Sequence, residues 1–149
     1  MNPISMINWL KCNLLDISLE TFLEFMQWVV ERSDDDILVV FGLHGFRKNI
    51  ENFDAVYVFV TQDGGVQATA KFHNGTMEID SSAAPNWDLK VVFKDVNALW
   101  RLMMSGGGGV VDAMMANDTQ VYGNLNYLYR FGFLVKDLVG NRLGIPLPA

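Results

Sequence analysis

The chain has 149 residues, of which 50% are apolar and only 19% charged; that composition excludes disordered, coiled-coil and collagen-like chains. Eleven Lys and Arg against 17 Asp and Glu leave a net charge of −6, which argues against binding to a nucleic-acid phosphate backbone or adhesion to anionic membranes by charge alone. The one cysteine, Cys12, allows no intrachain disulfide and fits a reducing compartment, so a cytoplasmic location is expected.

The opening segment MNPISMINWLKCNLLD has no basic stretch followed by an apolar core, so no secretion signal is expected. Ser18 suits a helix N-cap, with Glu20 in the first turn, and Leu19, Phe22, Phe25, Met26, Val29 and Val30 follow at helical spacing. The spacing predicts an end near Ser33, before the solvated run Asp34-Asp35-Asp36, which lacks the glycine and distal glutamate of a calcium loop. Ile37 to Phe46 is apolar but broken by Gly42 and Gly45. Strand and short helix both fit it, and a helical or irregular path to Asn52 is preferred.

From Ala55 the period becomes two. AVYVFVT reads as a fully apolar strand, Asp63-Gly64-Gly65 as a turn, and VQATAKF as an alternating strand with Val66, Ala68, Ala70 and Phe72 on one side. Asn74-Gly75 predicts a two-residue hairpin, since both residues tolerate positive φ. TMEID follows, with Met77 and Ile79 inward. After the Pro85-Asn86 loop, WDLKVVF puts Trp87, Leu89, Val91 and Phe93 on one face. The expectation is an antiparallel meander with one wet and one covered face. Asp95 should cap a helix carrying Val96, Leu99, Leu102 and Met103, which Gly106 to Gly109 breaks. A short helix with Met114 and Met115, a strand TQVYGNL ending at Gly123, and a helix to Val139 with Gly140 as C-cap complete the pattern. A single domain is expected: a helical segment 1–53, the sheet and C-terminal helices 54–140, and an extended tail 141–149.

No catalytic or metal-binding constellation emerges, and no cofactor is expected. The glycine run follows a predicted helix and lacks the lysine and serine of a phosphate loop. His44 and His73 have no companion ligands at metal spacing, Cys12 has no base nearby in a catalytic pattern, and Asp80 and Asp88 flank a loop as solubilising carboxylates. The unusual features are apolar. Leu125, Tyr127, Leu128, Tyr129, Phe131, Phe133, Leu134, Val135, Leu138 and Val139 cover more than one face of the last helix. Such a helix is buried on several sides, lies at an interface or lines an apolar cavity. Tyr122 to Val139 also carries Arg130, Lys136 and Asp137, so stable membrane insertion is not expected. Met26, Met77, Met103, Met104, Met114 and Met115 fall at structured positions, where flexible thioethers serve either a core or an adaptable pocket.

From about Asp54 to Leu138 the order of these patterns resembles the sterol carrier protein-2 domain family: DGG and NG turns, Trp87-Asp88-Leu89-Lys90-Val91, a helix ending at Gly106, then Val121-Tyr122-Gly123-Asn124-Leu125 leading into an amphipathic helix. The resemblance implies an α+β fold, a five-stranded and mainly antiparallel sheet covered on one face by helices, with an apolar tunnel between them. It also implies binding or transfer of a fatty acyl chain, sterol or other lipid without catalysis. The family's lysine-rich surface is thin here, with Arg130 and Lys136 alone, and Gly106 to Gly109 replaces its usual joint between helices. The ligand-lining residues expected on the strands are Phe72, Leu89, Val91 and Phe93. Those expected on the helices are Trp100, Met103, Met104, Met114, Met115, Phe131, Leu134 and Leu138. The alternative is an interaction module that uses the apolar last helix to form a homodimer or to dock on a lipid-handling partner enzyme.

Overall fold

The computed structural model describes residues 5, 8–9, 18–40, 42–95, 98–99 and 119–144. Helix α1 (Leu19–Glu31) starts where the sequence places it: Ser18 is extended and its Oγ accepts from the Thr21 amide at 3.2 Å, covering one of the free amides of the first turn. The apolar stripe of α1 is buried from Leu19 to Val30. Its far end is closed by a residue outside the helix. Arg47 donates from Nε to the Val30 carbonyl and from Nη2 to the Glu31 carbonyl, both at 3.0 Å. A short helix α2 (Asp36–Val40) and a 3-10 turn (Phe46–Ile50) then lead to the sheet, so the ambiguous segment takes the helical path.

Strands β1 (Asp54–Thr61), β2 (Gln67–His73), β3 (Thr76–Asp80), β4 (Leu89–Phe93) and β5 (Thr119–Gly123) form one sheet in the order β3-β2-β1-β4-β5. Asn74 and Gly75 both take positive φ, 45° and 87°, as the tight β2–β3 turn requires. Three of the four strand pairings are antiparallel. The fourth corrects the expected meander: β4 lies parallel to β1, with Tyr57 opposite Leu89 and Phe59 opposite Val91.

Parallel pairing requires the chain to return across the sheet, and residues 81–88 do so without a helix. Thr69 Oγ1 donates to the Ser82 carbonyl at 2.7 Å and accepts from the Ala84 amide at 3.0 Å, which pins the crossover to the outer face of β2. Thr69 and Val58 are buried there, so the outer face is only partly wet. Asp88 ends the crossover by hooking onto β1: its amide donates to the Val56 carbonyl at 2.9 Å, and its Oδ2 accepts from the Val56 amide at 2.8 Å. Val66 and Trp87, which alternation placed on strand faces, lie just outside the strands and are exposed.

The inner face carries Ala55, Tyr57 and Phe59 of β1, Ala68, Ala70 and Phe72 of β2, and Leu89, Val91 and Phe93 of β4, joined with the helices in one buried cluster. Helix α3 (Leu125–Val135) is capped by Asn124, whose Oδ1 accepts from the Asn126 amide at 2.9 Å. It runs on as a π-helix, Lys136–Arg142. Gly140 therefore does not end the helix, and the tail expected to be extended from 141 is still helical at Arg142; the first left-handed residue beyond is Gly144, at φ 70°.

A polar clamp holds this extra turn. Asp137 accepts from Arg142 Nε at 2.7 Å and from Asn49 Nδ2 at 2.8 Å, while Arg142 Nη1 reaches the carbonyls of Gly42 at 3.1 Å and His44 at 2.6 Å. Burial pushes the Asp137 carboxyl up, but the hydrogen bonds from Arg142, Asn49 and Asn141 outweigh it and hold the group below its usual range. A carboxylate whose pKa is depressed on folding stabilises the protein above its unfolded pKa, about 3.9 for Asp, and loses that contribution as pH falls through the folded value. Asp137→Asn is expected to cost about 1–3 kcal/mol at neutral pH and to flatten the acid limb below about pH 4. Denaturant midpoints of both proteins from pH 7 to 2 check this.

Asp95 caps the next helix as expected, its Oδ1 accepting from the Ala98 amide at 2.8 Å, and Leu99 is buried. The other residues expected in that helix, the expected joint at Gly106 to Gly109, the expected short helix with Met114 and Met115, and Cys12 lie outside the described residues.

Candidate apolar ligand site

The sheet and helices enclose an apolar layer whose described centre is aromatic. The Phe131 ring of α3 sits 5.1 Å from Tyr57 and 5.2 Å from Phe59, centroid to centroid. Phe72 meets Tyr57 edge-on at 5.6 Å, a geometry that sets a ring's positive edge against a negative face. Phe53 closes the rim against Phe72 at 5.7 Å, and Arg130 covers it from outside, 4.9 Å from the ring centroid, while donating to the Asn49 carbonyl at 2.7 Å. The Tyr57 hydroxyl donates to the Tyr127 carbonyl at 2.8 Å, so this polar atom is satisfied inside the layer. Burial pushes its pKa up, out of the range in which it could work as an acid or base near neutrality.

Of the expected lining residues, Phe72, Leu89, Val91, Phe93, Phe131, Leu134 and Leu138 are all buried in this one layer. Trp100, Met103, Met104, Met114 and Met115 lie outside the described residues. Sequence reasoning missed Tyr57, Phe59 and Tyr127, which hold the aromatic centre together. β1 is apolar on both faces, so alternation could not say which of its side chains point inward. It also missed Thr119, a fully buried threonine on β5. The register of β5 against β4, with Thr119 opposite Phe93 and Val121 opposite Val91, puts it on the inner side.

Helix α3 divides its apolar residues between two environments. Leu128, Phe131, Leu134 and Val135 are buried, whereas Leu125, Tyr129 and Phe133, four residues apart, are 39%, 48% and 51% exposed. The Gly123-Asn124 pair that leads into it has a steric reason. Gly123 has φ 109°, and a Cβ there would lie 2.3 Å from the Asp88 carbonyl oxygen.

The polar features are otherwise structural. His73 Nδ1 lies 2.7 Å from Asp54 at the exposed end of the β1–β2 hairpin. Asp80 and Asp88 accept from backbone amides of Ser82 and Val56. An open cleft of about 800 Å³ between α1 and the β2–β3 turn is lined by Glu31, Arg47, Glu51 and Glu78 among others, a poor match to an apolar ligand. Among the described residues no group of three or more His, Cys, Asp or Glu could hold a metal ion, and no helix is long and apolar enough to cross a membrane.

No protein-family model and no curated protein sequence matches the chain. Solved structures do. The ubiquinone synthesis protein UbiJ-SCP2 aligns at TM-score 0.53 and 12% identity, over 85% of this chain and 98% of its own. The inverting sec-alkylsulfatase Pisa1 from Pseudomonas sp. aligns at TM-score 0.51 and 15% identity over 66% of this chain, which spans only 15% of the sulfatase. Apo sterol carrier protein 2 from Yarrowia lipolytica aligns at 0.48 and 15% identity, over 73% and 85% of the two chains. At such identities the likeness concerns fold, and it agrees with the sequence resemblance: this chain has the α+β fold of the sterol carrier protein-2 family.

Proposed function

We propose that this chain is a non-catalytic, single-domain binder of an apolar ligand, a fatty acyl chain, sterol or other lipid, held between the inner face of the sheet and the helices. The observation that carries this reading is the continuous apolar layer in which all the described candidate residues are buried together. The fold supports it, because a neighbour of the same architecture, covered over nearly its whole length, is the ubiquinone synthesis protein UbiJ-SCP2. The aromatic cluster occupies the layer over β1 and β2, so the ligand's place is the β4–β5 side, along Leu89, Val91 and Phe93, with Trp100, Met103, Met104, Met114 and Met115 completing the lining. Leu134 and Leu138 form the helix wall, and Phe72 and Phe131 the closed end. The driving force is removal of apolar surface from water, roughly 25 cal/mol per Å². A ligand burying on the order of 300 Å² gains several kcal/mol before entropic losses. No cofactor takes part, and the protein works in the cytoplasm.

Native mass spectrometry of the purified protein tests this reading. The expected result is a monomer carrying a lipid-mass adduct that organic extraction removes. A lipid-free dimer would instead favour an interaction module built on the exposed Leu125, Tyr129 and Phe133.

A further inference from the structure

Thr119 is fully buried on the inner side of β5, beside Phe93 of β4, and its Oγ1 has no hydrogen-bond partner among the described residues. The other buried hydroxyls among the described residues are satisfied. Tyr57 donates to the Tyr127 carbonyl, Thr61 Oγ1 lies 2.7 Å from Asp63 Oδ1, and Thr69 donates to the Ser82 carbonyl. A hydroxyl stripped of water without replacement is destabilising, and valine, of nearly the same shape and at home in strands, would avoid that penalty. Valine occupies the next inward position, Val121.

We propose that Thr119 Oγ1 is the polar anchor of the lipid site: it hydrogen-bonds the oxygen of an otherwise apolar ligand and orients the ligand's body along Phe93, Val91 and Leu89. The inference rests on the lipid-binding reading above. It narrows the ligand to a lipid with a neutral oxygen, an alcohol, ketone or ester. A buried carboxylate would need a cation beside it, and among the described residues of β4 and β5 the one cation, Lys90, has the opposite parity to the inward Leu89, Val91 and Phe93. A hydroxyl, which both donates and accepts, serves either sense of the bond with a neutral oxygen.

The test uses the full, delipidated chain and compares 1-hexadecanol with hexadecane as displacers of a fluorescent apolar dye. For Thr119→Val the expected result is about tenfold weaker binding of the alcohol, the loss of one hydrogen bond of roughly 1.4 kcal/mol, with the hydrocarbon unchanged. The ligand-free variant should unfold at the same denaturant concentration as the parent or a higher one, since an orphan has been removed. Thr119→Ser, which keeps the hydroxyl, should restore alcohol binding. If both proteins bind both probes with the same discrimination, the anchor is overturned while the lipid reading stands. A clearly lowered unfolding midpoint in ligand-free Thr119→Val would also overturn it, because the hydroxyl would then have a partner within the protein. If the parent binds neither probe, the lipid reading falls and the anchor with it.

Discussion

Phe131→Ala is expected to lower the unfolding free energy by about 3–5 kcal/mol, the cost of removing a packed aromatic ring from a core that relaxes only in part. Phe131 is 2% exposed and is the one α3 ring in contact with β1 and β2 together, through Tyr57, Phe59 and Phe72. Aromatic pairing adds to the loss of buried area. The variant also separates two uses of the apolar layer. A ring at the packed end of the site costs the full amount, whereas a ring beside open or lipid-filled space has fewer neighbours and costs less. Denaturant unfolding of delipidated protein gives the number. A loss under about 1 kcal/mol would extend the ligand space over β1 and contradict the packed end described here.

Gly123→Ala is the second large effect, through the backbone. Any side chain there takes a conformation that costs about 1–3 kcal/mol, and its Cβ would sit 2.3 Å from the Asp88 carbonyl oxygen. That oxygen cannot easily retreat, because Asp88 is tied to Val56 by two hydrogen bonds. The combined cost is expected to exceed about 3 kcal/mol. Because Gly123 joins β5 to the Asn124 cap of α3, hydrogen exchange should rise first in those two elements. A variant as stable as the parent, with unchanged exchange, would mean that β5 can shift away from β4 at no cost.

Local chemistry made much of this fold legible. Ser18, Asn74-Gly75, Asp95 and Asn124 each act within a few residues of themselves, and each does in the structure what its type predicts. The parallel pairing of β1 with β4 was not legible, because no turn encodes it. It depends on Thr69 and Val56 capturing a crossover that lies 13 to 32 residues away in the chain. The end of α3 was misplaced for a similar reason. Gly140 is a good stop signal in isolation, but Asp137 and Arg142 bridge past it to Asn49, Gly42 and His44. In the candidate site, alternation identified Phe72, Leu89, Val91 and Phe93, where polar residues mark the opposite face. It was silent on Tyr57 and Phe59, where both faces of β1 are apolar, and it assigned no face to Thr119, whose inward position follows from the register of β5 against β4.

The central claim is that the layer between sheet and helices accepts an apolar ligand reversibly. Titration of the delipidated chain with a fluorescent long-chain fatty acyl probe tests it most directly. The account predicts saturable binding at micromolar protein, with one probe per chain and displacement by unlabelled lipid. A linear, non-saturable signal that unlabelled lipid does not displace would contradict it.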